Sequence, residues 1–495
     1  MRSLLVFAVI ALLTGMSPVS KAQPAEAFVT TWEVAGPALS VTIPTAPQAT
    51  YNFVIDWGDG TRETVTGIDP NPTHTYAAPG TYTVSIQGSF PQIYLDASRH
   101  DPSRRGSRSN AQKLRTVEQW GAIAWHSMEN AFAGARHLTV HADDVPDLSR
   151  VTSTRGMFLE ATSFNAPIGD WDVSSVRDMS VMFAEAASFD QPIGGWDVSG
   201  VEDMSGLFMN ASLFNQHLNG WEVSNVRSMA AMFAGAADFN RDISDWTVSS
   251  VETMDGMFMN AVSFNQDIGR WDVSNVNSMT AMFAGADAFN QNIGSWNVSR
   301  VATMRDMFSE SETFDQDIGA WDVSNVRNLV SMFRRTRSFD QDLSAWDISN
   351  ARDLSFMFSG ARSFNQDLSD WNIAAIASTY SMFHNAWAFD PDYAPPGVSV
   401  PRPTPPCAPS CELHLVCQGH SCAVSYVSSA AQLDSFAGGR DLQLYVMMCH
   451  APFPTASRAL FCMNPSQGPP YVGMQDAIQD FHQRASPGNS GNSGN

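Results

Sequence analysis

The stretch Trp271–Ser295, WDVSNVNSMTAMFAGADAFNQNIGS, is one copy of a 25-residue unit that recurs with almost no slippage from about Val151 to Phe389. Tryptophan falls at Trp171, Trp196, Trp221, Trp246, Trp271, Trp296, Trp321, Trp346 and Trp371, and a Met-Phe or Leu-Phe pair keeps the same step from Met157-Phe158 to Met382-Phe383. A fixed period of this length marks a solenoid, a propeller or an array.

Two spacings inside the unit bear on the choice. Val276, Met279, Met282, Phe283 and Ala286 fall three or four residues apart and predict one apolar stripe on a short helix, with Ser274 and Asn275 as N-cap residues. Ile268, Trp271 and Val273 have the spacing of a short strand with a bent entry, and this half looks like the L-x-x-L-x-L core of a leucine-rich repeat. Between helix and strand lies a column that is only ever Asn or Asp, from Asn165 through Asn290 to Asp390, read as a tight corner whose side chain bonds its own backbone. One strand and one helix cannot bury their own apolar side, so the Trp, Val, Met and Phe columns must stack on neighbouring coils. The expected fold class is therefore an α/β solenoid of 25-residue strand-helix repeats. Alternation of Met-Asn-Ala with Ala-Gly-Ala near Ala211, Ala236, Ala261 and Ala286 adds a 50-residue duplication.

The unit F-N-Q-x-I-x-x-W-D-V-S-N-V-x-x-M-x-x-M-F resembles that of the BspA-type leucine-rich-repeat surface proteins of bacteria, over roughly half the chain. The resemblance implies a secreted or surface-attached binding or adhesion protein and carries over no catalytic residue.

The chain divides, by its sequence, into seven parts. Residues 1–22, with Arg2, an apolar run from Leu4 to Leu13 and small residues before Gln23, are the pattern of a secretory signal peptide. Residues 23–88 alternate as strands around Trp57-Gly58-Asp59-Gly60, followed by His74-Thr75-Tyr76 and Gly80-Thr81-Tyr82-Thr83-Val84. This combination resembles the PKD family of immunoglobulin-like sandwiches, which implies a small β-sandwich acting as spacer or weak binder. Residues 89–150 hold a basic loop (Arg99, Arg104, Arg105, Arg108, Lys113, Arg115) and a degenerate capping repeat with Met128, Phe132 and Ala135. The ten-copy solenoid takes 151–392, a Pro-rich linker 393–406, a Cys-rich domain 407–484 and a Gly/Ser/Asn tail 485–495. An even set of cysteines in a short exported module, Cys407, Cys411, Cys417, Cys422, Cys449 and Cys462, reads as three disulfides with the pairing open.

A net charge of -22 excludes a phosphate-binding face for nucleic acid, and no apolar run has the length of a bilayer span. A monomer facing an extracellular protein or glycan is expected, secreted or at a bacterial surface. Two acidic columns are the candidate binding surface. One, between Trp and Val, holds Asp172, Asp197, Glu222, Asp272, Asp322 and Asp347, with Thr247, Asn297 and Asn372 in the same row. The other, before the Ile/Leu column, holds Asp242, Asp267, Asp317, Asp342 and Asp367. Stacked about 4.8 Å apart, like charges need solvent, a cation or a partner; calcium is the cofactor these columns would suit, beside the plain reading of a solvated face. Other groupings have structural explanations: Asp56 and Asp59 as turn residues, the methionine columns as core, His137 and His141 with Asp143 and Asp144 on a strand, and Cys417-x-x-His420-x-Cys422 within the disulfide set. No local catalytic motif such as G-x-S-x-G or H-E-x-x-H occurs. The alternative to a non-catalytic binding protein is an accessory protein of extracellular polymer processing, with the activity in the Cys-rich domain.

Overall fold

The computed structural model describes residues 26–36, 39–95 and 110–400, together with the backbone of three strands between 412 and 445. The signal segment, Arg99 to Arg108 of the basic loop, the six cysteine side chains and the tail lie outside the described residues. The chain forms two compact units, Met1–Pro401 and Arg402–Asn495.

Alternation of buried and exposed residues builds the N-terminal sheets. β1 (Phe28–Val34), β3 (Thr50–Asp56), β4 (Arg62–Ile68), β6 (Gly80–Ser89), β7 (Leu114–Gln119) and β8 (Thr139–Val140) form one sheet in the order β4-β3-β6-β1-β7-β8. β2 (Ser40–Thr42) and β5 (Thr73–Thr75) form a second. The β3–β4 turn needs positive φ at Gly58 and Gly60; Asp56 accepts from Gly58 N–H and Asp59 from Thr61 N–H, each at 3.0 Å, so both aspartates serve the turn. Lys113 and Arg115, at the end of the basic cluster, are anchored: Lys113 Nζ donates to the Ser40 carbonyl and Arg115 pairs with Glu33 at 2.8 Å.

The repeats differ from the expected strand-helix coil. Among the described residues no helix longer than one turn is present in 151–389; each coil is a run of turns with a single parallel bridge to each neighbour, at Ser278 in the Trp271 copy. Over Met279–Ala286, the N–H groups of Met282, Ala284 and Ala286 donate three residues back, while those of Met279, Ala281, Phe283 and Gly285 donate to Thr303, Arg305, Met307 and Ser309 of the following coil. A helix would send every N–H four residues back within its own segment. Ala281 and Gly285 have φ of 54° and 68°, and every coil has two such left-handed residues four apart, which no helix accommodates. The expected N-caps do other work: Ser274 N–H is bound by Asp272, and Asn275 Nδ2 reaches the Ser250 carbonyl. The expected strand at Ile268–Val273 is also a turn, closed by Trp271 N–H on the Ile268 carbonyl at 3.1 Å. The fold is thus a turn-and-bridge solenoid, essentially without helix, and not an α/β one.

Three kinds of ladder hold the coils in register. Each Trp from Trp196 to Trp371 donates its indole Nε1 to the Ile or Leu carbonyl 28 residues earlier, at 3.0–3.2 Å. The Asn/Asp column is not a self-bonded corner: from Asn165 to Asn365 each Oδ1 accepts the backbone N–H of the equivalent residue in the next coil at 2.7–3.1 Å. Asn and Asp both supply that oxygen, which explains why they interchange. Two phenylalanine ladders fill the centre; Phe258 lies 5.7 Å from Phe283 with planes 8° apart, and Phe283 stacks on Phe289 at 4.0 Å. The methionine columns are fully buried between them.

The 50-residue alternation has a steric cause. Asn210 and Asn260 are left-handed residues, and a Cβ at Gly235 or Gly285 in the next coil would lie 2.2 or 2.3 Å from their Oδ1 atoms. A Gly coil after an Asn coil therefore leaves room for the Asn amide where it stands.

The two ends differ. At the N-terminal end, β8 pairs in parallel with β7, the Asn130 carbonyl accepts from Leu95 N–H and the Glu129 carbonyl from Gln92 Nε2, and Trp120 stands edge-on to Trp171 at 5.3 Å. At the other end Pro391–Tyr393 forms one 3-10 turn, and Tyr393, Ala394, Val398 and Val400 pack on the core. In the second unit, β9 (Glu412–Gln418) lies between β10 (Ser421–Val427) and β11 (Gln443–Tyr445), both antiparallel to it, with Cys422 in register with Cys417.

Candidate functional site

All eleven acidic candidates are exposed, on two rows that flank the Ile-to-Trp turn of each coil. In the first row Asp172, Asp197, Asp272, Asp322 and Asp347 accept the N–H of the serine two residues on at 3.0–3.1 Å. Glu222, one methylene longer, stands exposed in the same row. In the second row Asp242, Asp342 and Asp367 cap Ser244, Ser344 and Ser369, and Asp267 and Asp317 cap Gly269 and Gly319, at 2.8–3.0 Å. One carboxylate oxygen of each aspartate thus holds an Asx turn, leaving the other for water or a ligand.

These turns also set the acidity. The serine hydroxyl and then its N–H hold Asp172, Asp197, Asp272, Asp347 and Asp367 below the ordinary carboxylate range. For Asp242 and Asp342 the backbone N–H contributes most, with the same direction. Among the described residues no three His, Cys, Asp or Glu side chains are grouped to hold a metal ion. His141 bonds Glu118 at 3.2 Å, and Asp144 accepts from the N–H groups of Trp120 and Gly121 at 2.9 and 2.7 Å, so that cluster serves the junction with the first coil.

A second lateral surface was not singled out from the sequence. Six residues after each Trp, an exposed position reads Arg177, Glu202, Arg227, Glu252, Asn277, Ala302, Arg327, Arg352 and Ala377. Its middle section opens into a shallow polar groove of about 470 Å³ lined by Asn225, Arg227, Ser250, Glu252, Asn275 and Arg300. Arg227 and Glu252 face each other across one coil step at 3.4 Å, and Arg300 donates to Asn275 Oδ1 at 2.6 Å. Both pairs are solvent-exposed and contribute little to stability, so their donors and acceptors stay open to a polar ligand. The signal was present as Arg/Glu alternation in one column, obscured because that column was assigned to a helix.

Among the described residues no helix is long and apolar enough to cross a membrane. No curated protein and no solved structure matches the chain. A family model described as "Mycoplasma protein of unknown function, DUF285" matches residues 126–239, 189–294, 216–317 and 289–395, which together span the capping coil and all the regular coils. With more than half of its 495 residues covered by that match, the chain belongs to the DUF285 family.

Proposed function

We propose that this is a secreted or cell-surface binding or adhesion protein in which the solenoid is a non-catalytic recognition scaffold. The observation that carries this reading is the contrast between a repeated backbone and an outward row that changes. The Trp, Phe and Asn/Asp ladders keep their register coil after coil, while the position of Arg227 and Glu252 varies in charge and size. Such a frame presents different side chains at a fixed pitch without altering the fold. The resemblance of the repeat to BspA-like surface proteins, of the first module to PKD domains, and of residues 1–22 to a secretory signal agrees with that role. The partner would be an extracellular protein or glycan, with the polar groove and the acidic rows as contact surfaces and calcium as the ion the rows would take.

The test is a binding screen of the full chain against immobilised glycans and extracellular proteins, repeated with Arg227→Ala/Arg300→Ala. Both residues are exposed, so the melting temperature should not move. A ligand whose affinity falls about tenfold, equivalent to ~1.4 kcal/mol, supports the reading; ligands indifferent to the substitution would remove the groove from it.

A further inference from the structure

We propose that the last coil is an open docking edge that binds an extended polypeptide segment of a partner protein as an added coil. In each earlier coil four N–H groups point along the solenoid axis and are taken by carbonyls of the next; Leu354, Phe356, Phe358 and Gly360 donate to Ser378, Tyr380, Met382 and His384. The equivalent donors of the last coil, Thr379, Ser381, Phe383 and Asn385, meet no acceptor among the described residues. The chain after Phe389 covers a different part of this coil, where the Tyr393 carbonyl accepts from Leu368 N–H.

The side chains around this row change as well. Tyr380 and Trp387 bracket three of the four donors, Ser381, Phe383 and Asn385, and are 68% and 61% exposed. Their counterparts in the earlier coils are small, polar or valine: Asp255, Thr280, Arg305, Val330 and Ser355 for the first, Val262, Asp287, Glu312, Arg337 and Arg362 for the second. Only the coil without a successor carries aromatics at these positions.

The four N–H groups form a run of donors, preceded by the Ala377 carbonyl, whose counterparts from Arg177 to Arg352 each accept an N–H of the next coil, so the complement is a row of acceptors at every second residue with one donor at its start. A polypeptide backbone supplies that row, and apolar side chains on it would lie against Tyr380 and Trp387. A polyanion is disfavoured by the net charge of -22. Among the described residues, neither coil end of a second copy offers that row: its first coil is closed by Gln92, Leu95 and β7, and two last coils would set these donor rows against each other. This edge is separate from the Arg227 groove, and either proposal can fail without the other.

The probe is a synthetic peptide of residues 301–325, whose Thr303, Arg305, Met307 and Ser309 carbonyls fill such a row within the solenoid; a scrambled peptide is the control. Amide hydrogen exchange is followed in the full chain. Without peptide, Ser381 and Asn385 should exchange far faster than Phe356 and Gly360. Saturating peptide should slow Ser381, Phe383 and Asn385 by about tenfold or more, and Tyr380→Ser/Trp387→Ser should weaken binding by about tenfold with unchanged melting. No slowing by the peptide, or equal slowing by the scrambled one, overturns the proposal. So does protection of these amides already present in the chain alone, or protection that rises with protein concentration, which would mean a second copy takes the edge. If the double variant fails to fold, the amide readout in the unmodified chain still decides.

Discussion

The indole Nε1 of Trp271 donates to the carbonyl of Ile243 at 3.2 Å, the same carbonyl that closes the turn before Trp246 by accepting its N–H. One oxygen thus fixes both the shape of its own coil and the position of the next. Replacing Trp271 by Phe keeps an aromatic ring in the column but removes the link between coils. Since the carbonyl retains its other donor, the loss should be that of one ordinary hydrogen bond, about 0.5–1.5 kcal/mol, plus the smaller ring's packing deficit. Urea unfolding measures it; a variant as stable as the parent would show that stacking alone positions the tryptophan.

Asn290 Oδ1 accepts two donors from the next coil, Asp315 N–H at 2.9 Å and Gln316 Nε2 at 2.9 Å. Asn290→Asp keeps the acceptor and should change stability by less than about 0.5 kcal/mol. Asn290→Ala leaves a half-buried N–H unpaired, for a cost of roughly 1–3 kcal/mol. Equal effects of the two substitutions would refute the ladder as the reason for the column.

Gly285→Ala should destabilise for two reasons. The left-handed backbone costs an L-residue about 1–2 kcal/mol, and the new Cβ would press on Asn260 Oδ1. Only the second contribution disappears in an Asn260→Gly background. A double-mutant cycle should therefore be non-additive, with the pair less damaged than the sum of the single changes; strict additivity would mean that Asn260 simply turns aside.

The Asx-turn aspartates give the solenoid an acid limit. In Asp172, Asp197, Asp242, Asp272, Asp342, Asp347 and Asp367 the turn holds the folded-state pKa below the unfolded value of about 3.9. A depressed folded value contributes stability that is present above the unfolded one and lost as pH falls through the folded one. The melting temperature should accordingly hold from pH 7 to pH 5 and decline below about pH 4. Asp172→Asn should flatten that decline slightly, an effect small enough to need replicate scans because the group is exposed.

Much of this architecture was legible. The Trp, Met and Phe columns fixed the period, the stacking and the buried side of every coil, because identical residues at constant pitch have nowhere else to go. The error lay in reading Val276, Met279, Met282 and Phe283 as a helical stripe. A chain of three-residue turns buries the same positions, so apolar spacing alone cannot separate the two. The separating signal was polar: Gly256 with Asn260, and Gly206 with Asn210, put left-handed formers four residues apart, where a helix would place good helix formers. The partner of the Asn/Asp column was hidden for a different reason, since a hydrogen bond to the next coil leaves the same sequence trace as one to the residue's own backbone. The groove at Arg227 depends on which column faces outward, and that followed only from the corrected coil.

The unequal ends of the solenoid give its assembly a direction. The closed end, with β7, β8 and the Trp120 lid, leaves the ribosome before the regular coils, and each later 25-residue segment emerges beside a predecessor that is already shaped. Because a repeat contacts little beyond its neighbours, no segment has to wait for a distant one, and synthesis and folding advance along the chain in the same order.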